Sequence, residues 1–408
     1  LREAVKYSLV PFNPTARAWL GAILMIGGLN AQSAPLLIKI AGAAPLTGDQ
    51  AARSIPIRNG ALLAVEEAKA RFLKFGVKLE FVSADDGASE DVGLRVAQQI
   101  AADPSVLGVV GHVNSSVSLK AMQVYARSKL LMVSAASTNP NLTMRGLTNV
   151  ARVCGRDDVQ GPIAAQFVRD VLGHRRVFIV HDGTEYGSGL ANAFRARAIA
   201  IGLNIVGFVT LSDASAAGAK PLEPAFWQGL AQQIKLYQPQ AVYYSGVDPQ
   251  GGALVKALSA ARYAGSIIAP DGIDTDNFVK LAGPAAKGVY YTSTAGLLSL
   301  LPSATGFIKR FQARFKTAPE SYSAYAFDAA NIVVEAILSA YKNAGNKIPT
   351  RAAVSKAARA TEISGVTGRI GFTTDGDRRI ADYFVLQFKT ASYPGVVVRK
   401  LSSAPPAP

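Results

Sequence analysis

Cysteine and histidine are the scarcest chemically active residues in this chain of 408 residues. A single cysteine, Cys154, cannot form an internal disulfide or supply a cysteine-based zinc site. The three histidines, His112, His174 and His181, leave little material for a histidine metal site or for histidine acid–base catalysis. The composition therefore argues against a disulfide-stabilised scaffold and against a metalloenzyme, and we expect neither a metal nor a cofactor.

Charged residues are also few, at 17%, whereas hydrophobic residues make up 49% of the chain. Disorder requires low hydrophobicity with high charge, so this composition predicts a folded protein, and the length suits two or three domains or two large lobes. The formal net charge is +15, but the longest basic-rich stretch is only 174–176. Since nucleic-acid binding needs clustered basic residues, we expect no nucleic-acid partner and a dispersed positive surface.

Residues 1–34 have the pattern of an export signal. Basic residues precede an uncharged apolar run over 18–29, and small residues follow at Ala31 and Ser33. This order is typical of a secretory signal peptide, because a membrane-spanning helix needs about 20 apolar residues. We expect cleavage after Ser33 or Ala34, which would release an exported protein.

Short apolar runs alternate with helical patterns along the rest of the chain. In a first series, strands are predicted over 37–41, 77–82, 106–110 and 130–133, with helices from about Pro56, over 90–102 and from Ser115. In a second series, strands are predicted over 177–180, 205–209, 241–244 and 266–269, with helices over 186–201, 224–236 and 249–263. The alternation predicts an α/β fold of two Rossmann-like lobes, each a parallel sheet flanked by helices.

The C-terminal part adds helices near 304–315, 321–343 and 350–359 and a strand over 383–388. In such folds ligands bind beyond the carboxyl ends of the strands. The loops that should carry the site are therefore 45–54, 111–116, 134–140, 181–187, 246–249 and 270–274.

Motifs of catalysis are missing from the sequence. It contains no G-x-x-x-x-G-K-[ST] phosphate loop, no H-E-x-x-H and no G-x-S-x-G. The run Gly187-Ser188-Gly189 begins a G-x-G-x-x-G pattern, but Asn192 stands in place of its third glycine. Cys154 has no evident activating partner, so we expect a buried, inert thiol. Nothing in the sequence makes a positive case for an enzyme.

Several ordered segments carry a family resemblance. They are 45–48 (PLTG), 110–116 (VGHVNSS), 134–140 (SAASTNP), 158–162 (DVQGP), 179–182 (IVHD), 186–191 (YGSGLA), 243–246 (YYSG), 270–272 (PDG) and 372–377 (FTTDGD). In this order they resemble the periplasmic branched-chain amino-acid-binding proteins of ABC importers, which have the type I periplasmic-binding fold. The resemblance extends along nearly all of the chain beyond residue 34.

The resemblance implies a free amino acid held between two lobes. Asn114 and Ser115 would lie at the α-carboxylate, with Ala136, Ser137 and Thr138 forming a second main-chain loop beside it. Asp271 would hold the α-ammonium from the opposite lobe, and Tyr186 would pack against the ligand. Independently of the family, Ser115 opens a predicted helix, where free N–H groups and the helix dipole favour an anion.

Two positions depart from the family pattern. Arg53 lies in the stretch Ala51-Ala52-Arg53, where the family often has an aromatic residue, and Val247 stands where a second ligand tyrosine is often found. The side-chain end of the pocket should therefore differ from the leucine-binding type. Arg53 either reaches an additional acidic group of the ligand or is a solvated surface arginine, and the sequence leaves the ligand's identity open.

The resemblance also implies three crossovers between the lobes, near Cys154, Thr292 and Gly371. The first lobe would be 35–154 with 293–371, the second 155–292 with 372–400, and 401–408 a tail. The expected function is a monomeric exported receptor that delivers a small amino acid, or a related amide or acid, to a membrane permease. Alternatives are a ligand-sensing subunit on the same fold and, with less support, an exported α/β enzyme.

Overall fold

The computed structural model describes residues 36–211 and 222–406. The predicted signal peptide lies outside these ranges. Within them, no helix combines the length and the apolar character needed to cross a membrane.

The first sheet has five parallel strands in the order β2-β1-β3-β4-β5. The strands are β1 (Leu36–Ala44), β2 (Val77–Asp85), β3 (Val106–Val110), β4 (Leu131–Ser134) and β5 (Val150–Arg152), and the helices between them are α1 (Ala51–Leu73), α2 (Glu90–Ala102) and α3 (Ser115–Arg127). Every residue of β3 and β4 is buried. Short apolar runs buried on both faces are expected of parallel strands covered by helices.

The second sheet has seven strands in the order β14-β13-β10-β9-β8-β6-β7. Its strands are β6 (Arg176–His181), β7 (Asn204–Thr210), β8 (Ala241–Ser245), β9 (Ser266–Ala269), β10 (Tyr290–Ser293), β13 (Ala381–Gln387) and β14 (Val396–Ser403). Its helices are α4 (Asp157–Gln166), α5 (Glu185–Ala200), α6 (Pro224–Leu236), α7 (Asp248–Ala260) and α8 (Asp276–Ala282). The predicted parallel arrangement holds for β6 to β10, whereas β13 and β14 join antiparallel.

The chain returns to the first lobe after β10. Helices α9 (Ala304–Phe315), α10 (Ser321–Asn343) and α11 (Arg351–Ala360) contribute to the same hydrophobic core as β1 and α1, followed by the hairpin of β11 (Ile363–Gly365) and β12 (Gly368–Ile370). Helices α1 and α10 approach closely at Gly60, where a Cβ atom would lie 2.0 Å from the carbonyl oxygen of Ser323. Any larger residue at Gly60 would force these helices apart.

The structure thus has the predicted α/β architecture of two lobes, and the chain passes between them after β5, after β10 and after β12. We propose that the lobes divide at the predicted crossovers near Cys154, Thr292 and Gly371. The predicted tail needs a correction, because residues 401–403 belong to β14. This edge strand mixes exposed apolar residues with Arg399 and Lys400, so its sequence lacks the apolar run by which the buried strands were recognised.

The start of helix α1 differs from the sequence prediction, whereas that of α3 agrees with it. Helix α1 begins at Ala51 rather than near Pro56, which lies inside the helix and cannot donate to the carbonyl of Ala52. Helix α3 begins at Ser115, as predicted, but its N-cap residue is Asn114, whose side chain makes no capping hydrogen bond. The earlier start of α1 places Arg53 in the first turn of this helix, where it lines the predicted site.

Candidate functional site

A cleft lies between the lobes at the carboxyl ends of their strands. The first lobe lines it with Gln50, Arg53, Val113, Asn114, Ser115, Ser116 and Ala136, and the second lobe with Thr184, Tyr186 and Val247. All these residues come from loops that the sequence analysis selected because they follow strands. The loops 45–54, 111–116 and 134–140 meet 181–187 and 246–249, as expected of a doubly wound α/β fold.

The first-lobe wall contains the uncapped N-terminus of α3. Asn114 directs its side chain away from the helix, since its Nδ2 donates to Gln50 Oε1 at 2.8 Å. Ser115 and Ser116 form the first residues of α3 and line the cleft. The first N–H groups of a helix have no partner within the helix, so this end of the cleft is suited to a carboxylate.

The loop after β4 matches its predicted role only in part. Ala136 lines the cleft. Ser137 needs a correction: its N–H donates to Ser134 Oγ at 3.0 Å and its hydroxyl donates to the carbonyls of His112 and Val113. Ser137 therefore ties two first-lobe loops together instead of presenting a main-chain donor to a ligand. Thr138 is fully buried and does not line the cleft; its carbonyl accepts a hydrogen bond from Asp157 N at 3.0 Å.

Asp271 is held behind the second-lobe wall by three side chains. Its Oδ1 accepts from Gln160 Nε2 at 2.9 Å and from the Tyr186 hydroxyl at 2.7 Å. Its Oδ2 accepts from the hydroxyl of Tyr322, which α10 brings from the first lobe. The carboxylate is 1% exposed, and no described lysine or arginine lies within ion-pairing distance of it. It does not line the cleft itself, but its partner Tyr186 does.

A second buried carboxylate, Asp157, belongs to no motif recognised in the sequence. This first residue of α4 is 1% exposed, and neither of its carboxylate oxygens has a hydrogen-bond partner of standard geometry. Burial raises the pKa of Asp157 well above its usual value, and the negative charge of Asp271 raises it further. The carboxylates of Asp157 and Asp271 thus lie close enough to repel each other in an interior that, within the described ranges, holds no ion-pair partner for either.

Arg53 and Val247, the two positions where the chain departs from the family pattern, both line the cleft. Val247 packs with Tyr186 and Leu190 in a small apolar cluster of the second lobe. Arg53 is 6% exposed, which excludes the alternative of a solvated surface arginine. The cleft is also lined by Gln50, Ser116 and Thr184, which were not predicted individually although each lies in a predicted site loop.

Side chains for metal binding or thiol chemistry do not assemble at the cleft. In the described part of the chain, no three histidine, cysteine, aspartate or glutamate residues lie together in a way that could hold a metal ion. Burial raises the pKa of the Cys154 thiol to about 12, so this side chain remains a protonated core residue.

The chain is similar to known proteins over nearly its whole length. The model of a family described as periplasmic binding protein matches residues 37–392. The chain belongs to this family. A relative from Pseudomonas aeruginosa, described as an amino acid binding protein, is 30% identical over 371 residues, which are 90% of this chain and 94% of the relative. A Brucella melitensis relative, described as Leu/Ile/Val-binding protein homolog 1, is 30% identical over 91% of this chain and 94% of its own length.

The solved structure of a leucine binding protein from Thermotoga maritima superposes with a TM-score of 0.79 at 25% identity, covering 89% of this chain and 98% of that chain. The family resemblance inferred from the ordered motifs is therefore confirmed, as is the fold that it implied. These relatives are described as binding proteins, and none of the three descriptions is that of an enzyme.

Proposed function

We propose that this protein is a periplasmic receptor that captures an α-amino acid between its lobes and delivers it to an ABC-type permease. The observation that carries the proposal is that one wall of the cleft favours a negative charge and the opposite wall favours a positive charge. One wall offers uncapped helix N–H groups at Ser115 and Ser116, and buried carboxylates without cationic partners lie behind the other wall.

A zwitterion carries one charge of each sign and can therefore interact with both walls of the cleft. Its carboxylate accepts hydrogen bonds from the first N–H groups of α3 and from the Ser115 hydroxyl, where the helix dipole favours negative charge. Its ammonium approaches the carboxylate of Asp271, which is buried with no lysine or arginine of the described residues within ion-pairing distance. Pairing matters because an isolated charge is costly to bury.

Contacts between the lobes support capture by closure. Asn139 Nδ2 of the first lobe donates to the carbonyl of Glu185 in the second at 2.9 Å, and the Tyr322 hydroxyl donates to Asp271. Domain closure around a ligand excludes water and joins the surfaces of the two lobes. We propose that this joined surface is what the permease recognises.

The relatives favour the same ligand class. One is described as an amino acid binding protein, another as a Leu/Ile/Val-binding protein homolog. At 30% identity these relatives support an α-amino acid as the class of ligand. Which amino acid binds depends on the residues that line the cleft of this chain.

The proposed function can be tested by a thermal unfolding screen of the protein from residue 35 onward against the standard amino acids. A ligand at a hundred times its Kd stabilises the folded state by about 2.7 kcal/mol, which raises the unfolding temperature measurably. We expect at least one amino acid to raise the unfolding temperature. The corresponding amine, which lacks the carboxylate, and the corresponding carboxylic acid, which lacks the ammonium, should not raise it. Stabilisation by none of the amino acids would contradict the proposal.

A substitution at Ser115 tests the carboxylate end of the cleft. Ser115→Ala removes one hydrogen bond to a charged group, so we expect binding to weaken by about 1.5–3 kcal/mol, which is roughly ten- to a hundredfold in Kd. The matched control is Ser128→Ala at the other end of α3, where the hydroxyl donates only to carbonyls of its own helix. Calorimetric titration should show unchanged affinity for the control, and equal losses in both variants would contradict a role for Ser115.

A further inference from the structure

Arg53 is the one arginine or lysine among the residues that line the cleft. It lies in the first turn of α1, three residues after Gln50, so both side chains leave the same face of the helix. Its side chain is buried, its Nε has no hydrogen-bond partner, and no described carboxylate lies within ion-pairing distance. Burial works to lower the pKa of Arg53, but the charges of Asp248 and Asp271 act on it through space and raise it, so the guanidinium stays charged. What it lacks is an anion in direct contact, and a ligand can supply one.

The acidic groups that act on Arg53 through space, Asp248 and Asp271, do not pair with it directly. Asp248, in the first turn of α7, acts on Arg53 more strongly than any other charged group, yet the two form no ion pair. Asp248 Oδ2 instead accepts hydrogen bonds from Thr275 Oγ1 at 3.2 Å and from Asn277 Nδ2 at 2.7 Å. Burial also raises the pKa of Asp248, which weakens it as a counter-ion.

Gln50, which also bonds the N-cap residue of α3, adds donors to the same wall of the cleft as Arg53. Its Oε1 is occupied by the hydrogen bond from Asn114 Nδ2, so the group it can still present to a ligand is its amide nitrogen. Arg53 and Gln50 therefore both offer N–H groups. Together they suit a planar anion, which a guanidinium binds through two parallel hydrogen bonds.

We propose that Arg53 binds a distal carboxylate, so that the ligand of this cleft is an α-amino acid with an acidic side chain. The inference rests on the proposed function, because the α-carboxylate and the ammonium must already be held by α3 and Asp271. An aliphatic side chain at the same place would leave the guanidinium buried and unpaired, which is strongly unfavourable. Arg53 thus selects the side chain of the ligand by its charge, at a position where the family pattern often has an aromatic residue.

The test compares isosteric ligands with and without the arginine. Calorimetric titrations would use glutamate, aspartate, glutamine, asparagine, leucine, isoleucine and valine with the wild-type protein, Arg53→Met and Arg71→Met. Arg71 is the matched control, because it lies in the last turn of the same helix and pairs with Glu335 on the surface. We expect glutamate or aspartate to bind the wild type more tightly than its amide and more tightly than the aliphatic amino acids.

Arg53→Met should weaken binding of that acidic ligand by at least about thirtyfold, the lower end of the effect of truncating one partner of a buried charge pair. Binding of the amide should change far less, and Arg71→Met should behave as wild type. If Arg53→Met does not fold, as judged by circular dichroism, Arg53→Lys provides the second variant. It keeps the charge but loses the two parallel hydrogen bonds, so it should still prefer the acid to its amide but bind it less tightly.

Two results would overturn the inference. The first is that the wild type binds an aliphatic amino acid or an amide most tightly. The second is that Arg53→Met keeps an unchanged preference for the acid over its amide. Both would leave the proposed function intact if Ser115→Ala still weakened binding. Failure of every amino acid to bind would instead refute the proposed function itself.

Discussion

Asp271→Asn is expected to weaken amino-acid binding at least a hundredfold. The substitution preserves size, and its remaining oxygen can still accept from Gln160 and Tyr186. Its amide nitrogen then faces the Tyr322 hydroxyl, which must accept instead of donating, and the negative charge is lost. Breaking a buried ion pair by removing one partner costs about 3–5 kcal/mol, and about 1.4 kcal/mol corresponds to a tenfold change in Kd. The loss should exceed that of Ser115→Ala, which removes only one hydrogen bond. Calorimetry on both variants gives the order.

The matched control is Asp276→Asn, which makes the same exchange at a surface residue of α8 paired with Lys280. Its affinity should equal that of the wild type. If Asp271→Asn bound like the wild type while Ser115→Ala did not, the ligand would carry no ammonium. The protein would then be a receptor for a carboxylic acid or an amide, and Asp271 would have only a structural role.

The positions of the site loops could be predicted from the sequence because a parallel sheet imposes them. Once the alternation of strands and helices was recognised, the carboxyl ends of the strands had to carry the cleft, and Ser115, Tyr186 and Val247 lie there. The order of the motifs along the chain also indicated the family, because an inserted or missing element would have changed that order.

Contacts between distant segments could not be predicted in this way. Gln160 and Asp271 are 111 positions apart, and Tyr322 is 51 positions beyond Asp271. Nothing local marks these residues as partners. Asp157 was missed because it opens a helix rather than following a strand closely, and an acidic first turn is common in any helix. Its burial between the lobes is what gives it significance.

Ser137 shows a different limit of sequence reasoning. Small polar residues in the 134–140 loop look alike, yet the Ser134 hydroxyl accepts from the N–H of Ser137 while the Ser137 hydroxyl donates to carbonyls of the neighbouring loop. Which serine binds the ligand and which supports the loop depends on the direction of each side chain. That direction is fixed by the packing of the β3 and β4 loops against each other.

Asp377 lies where segments of both lobes meet and should contribute strongly to stability. This residue is 3% exposed and bridges two arginines: Oδ1 accepts from Arg152 Nε at 2.6 Å, and Oδ2 accepts from Arg156 Nη1 at 2.8 Å. Arg152, which is fully buried, also donates to the carbonyls of Ser137 and Asn139 in the site loop. The ion network thus joins the predicted crossover regions to the cleft.

Asp377→Asn is expected to lower the free energy of unfolding by about 3–5 kcal/mol, because Arg152 would remain buried without its counter-ion. Urea denaturation of the ligand-free protein at neutral pH measures this loss. The matched control Asp375→Asn, two positions away and without an ion pair among the described residues, should change stability by no more than about 0.5 kcal/mol. Equal effects of the two substitutions would contradict the proposed importance of the network.

The pH dependence provides an independent check on the same side chain. Burial by itself would raise the pKa of Asp377, but Arg152, Thr143 and Arg156 outweigh it, so that its pKa lies below the usual value. A carboxyl group with a lowered pKa stabilises the folded state above its unfolded-state pKa, and that contribution is lost as the pH falls through the folded-state pKa. The stability difference between the wild type and Asp377→Asn should therefore be greatest near neutral pH and shrink in acid. A difference that stayed constant down to the acid transition would show that the aspartate acts through packing and not through its charge.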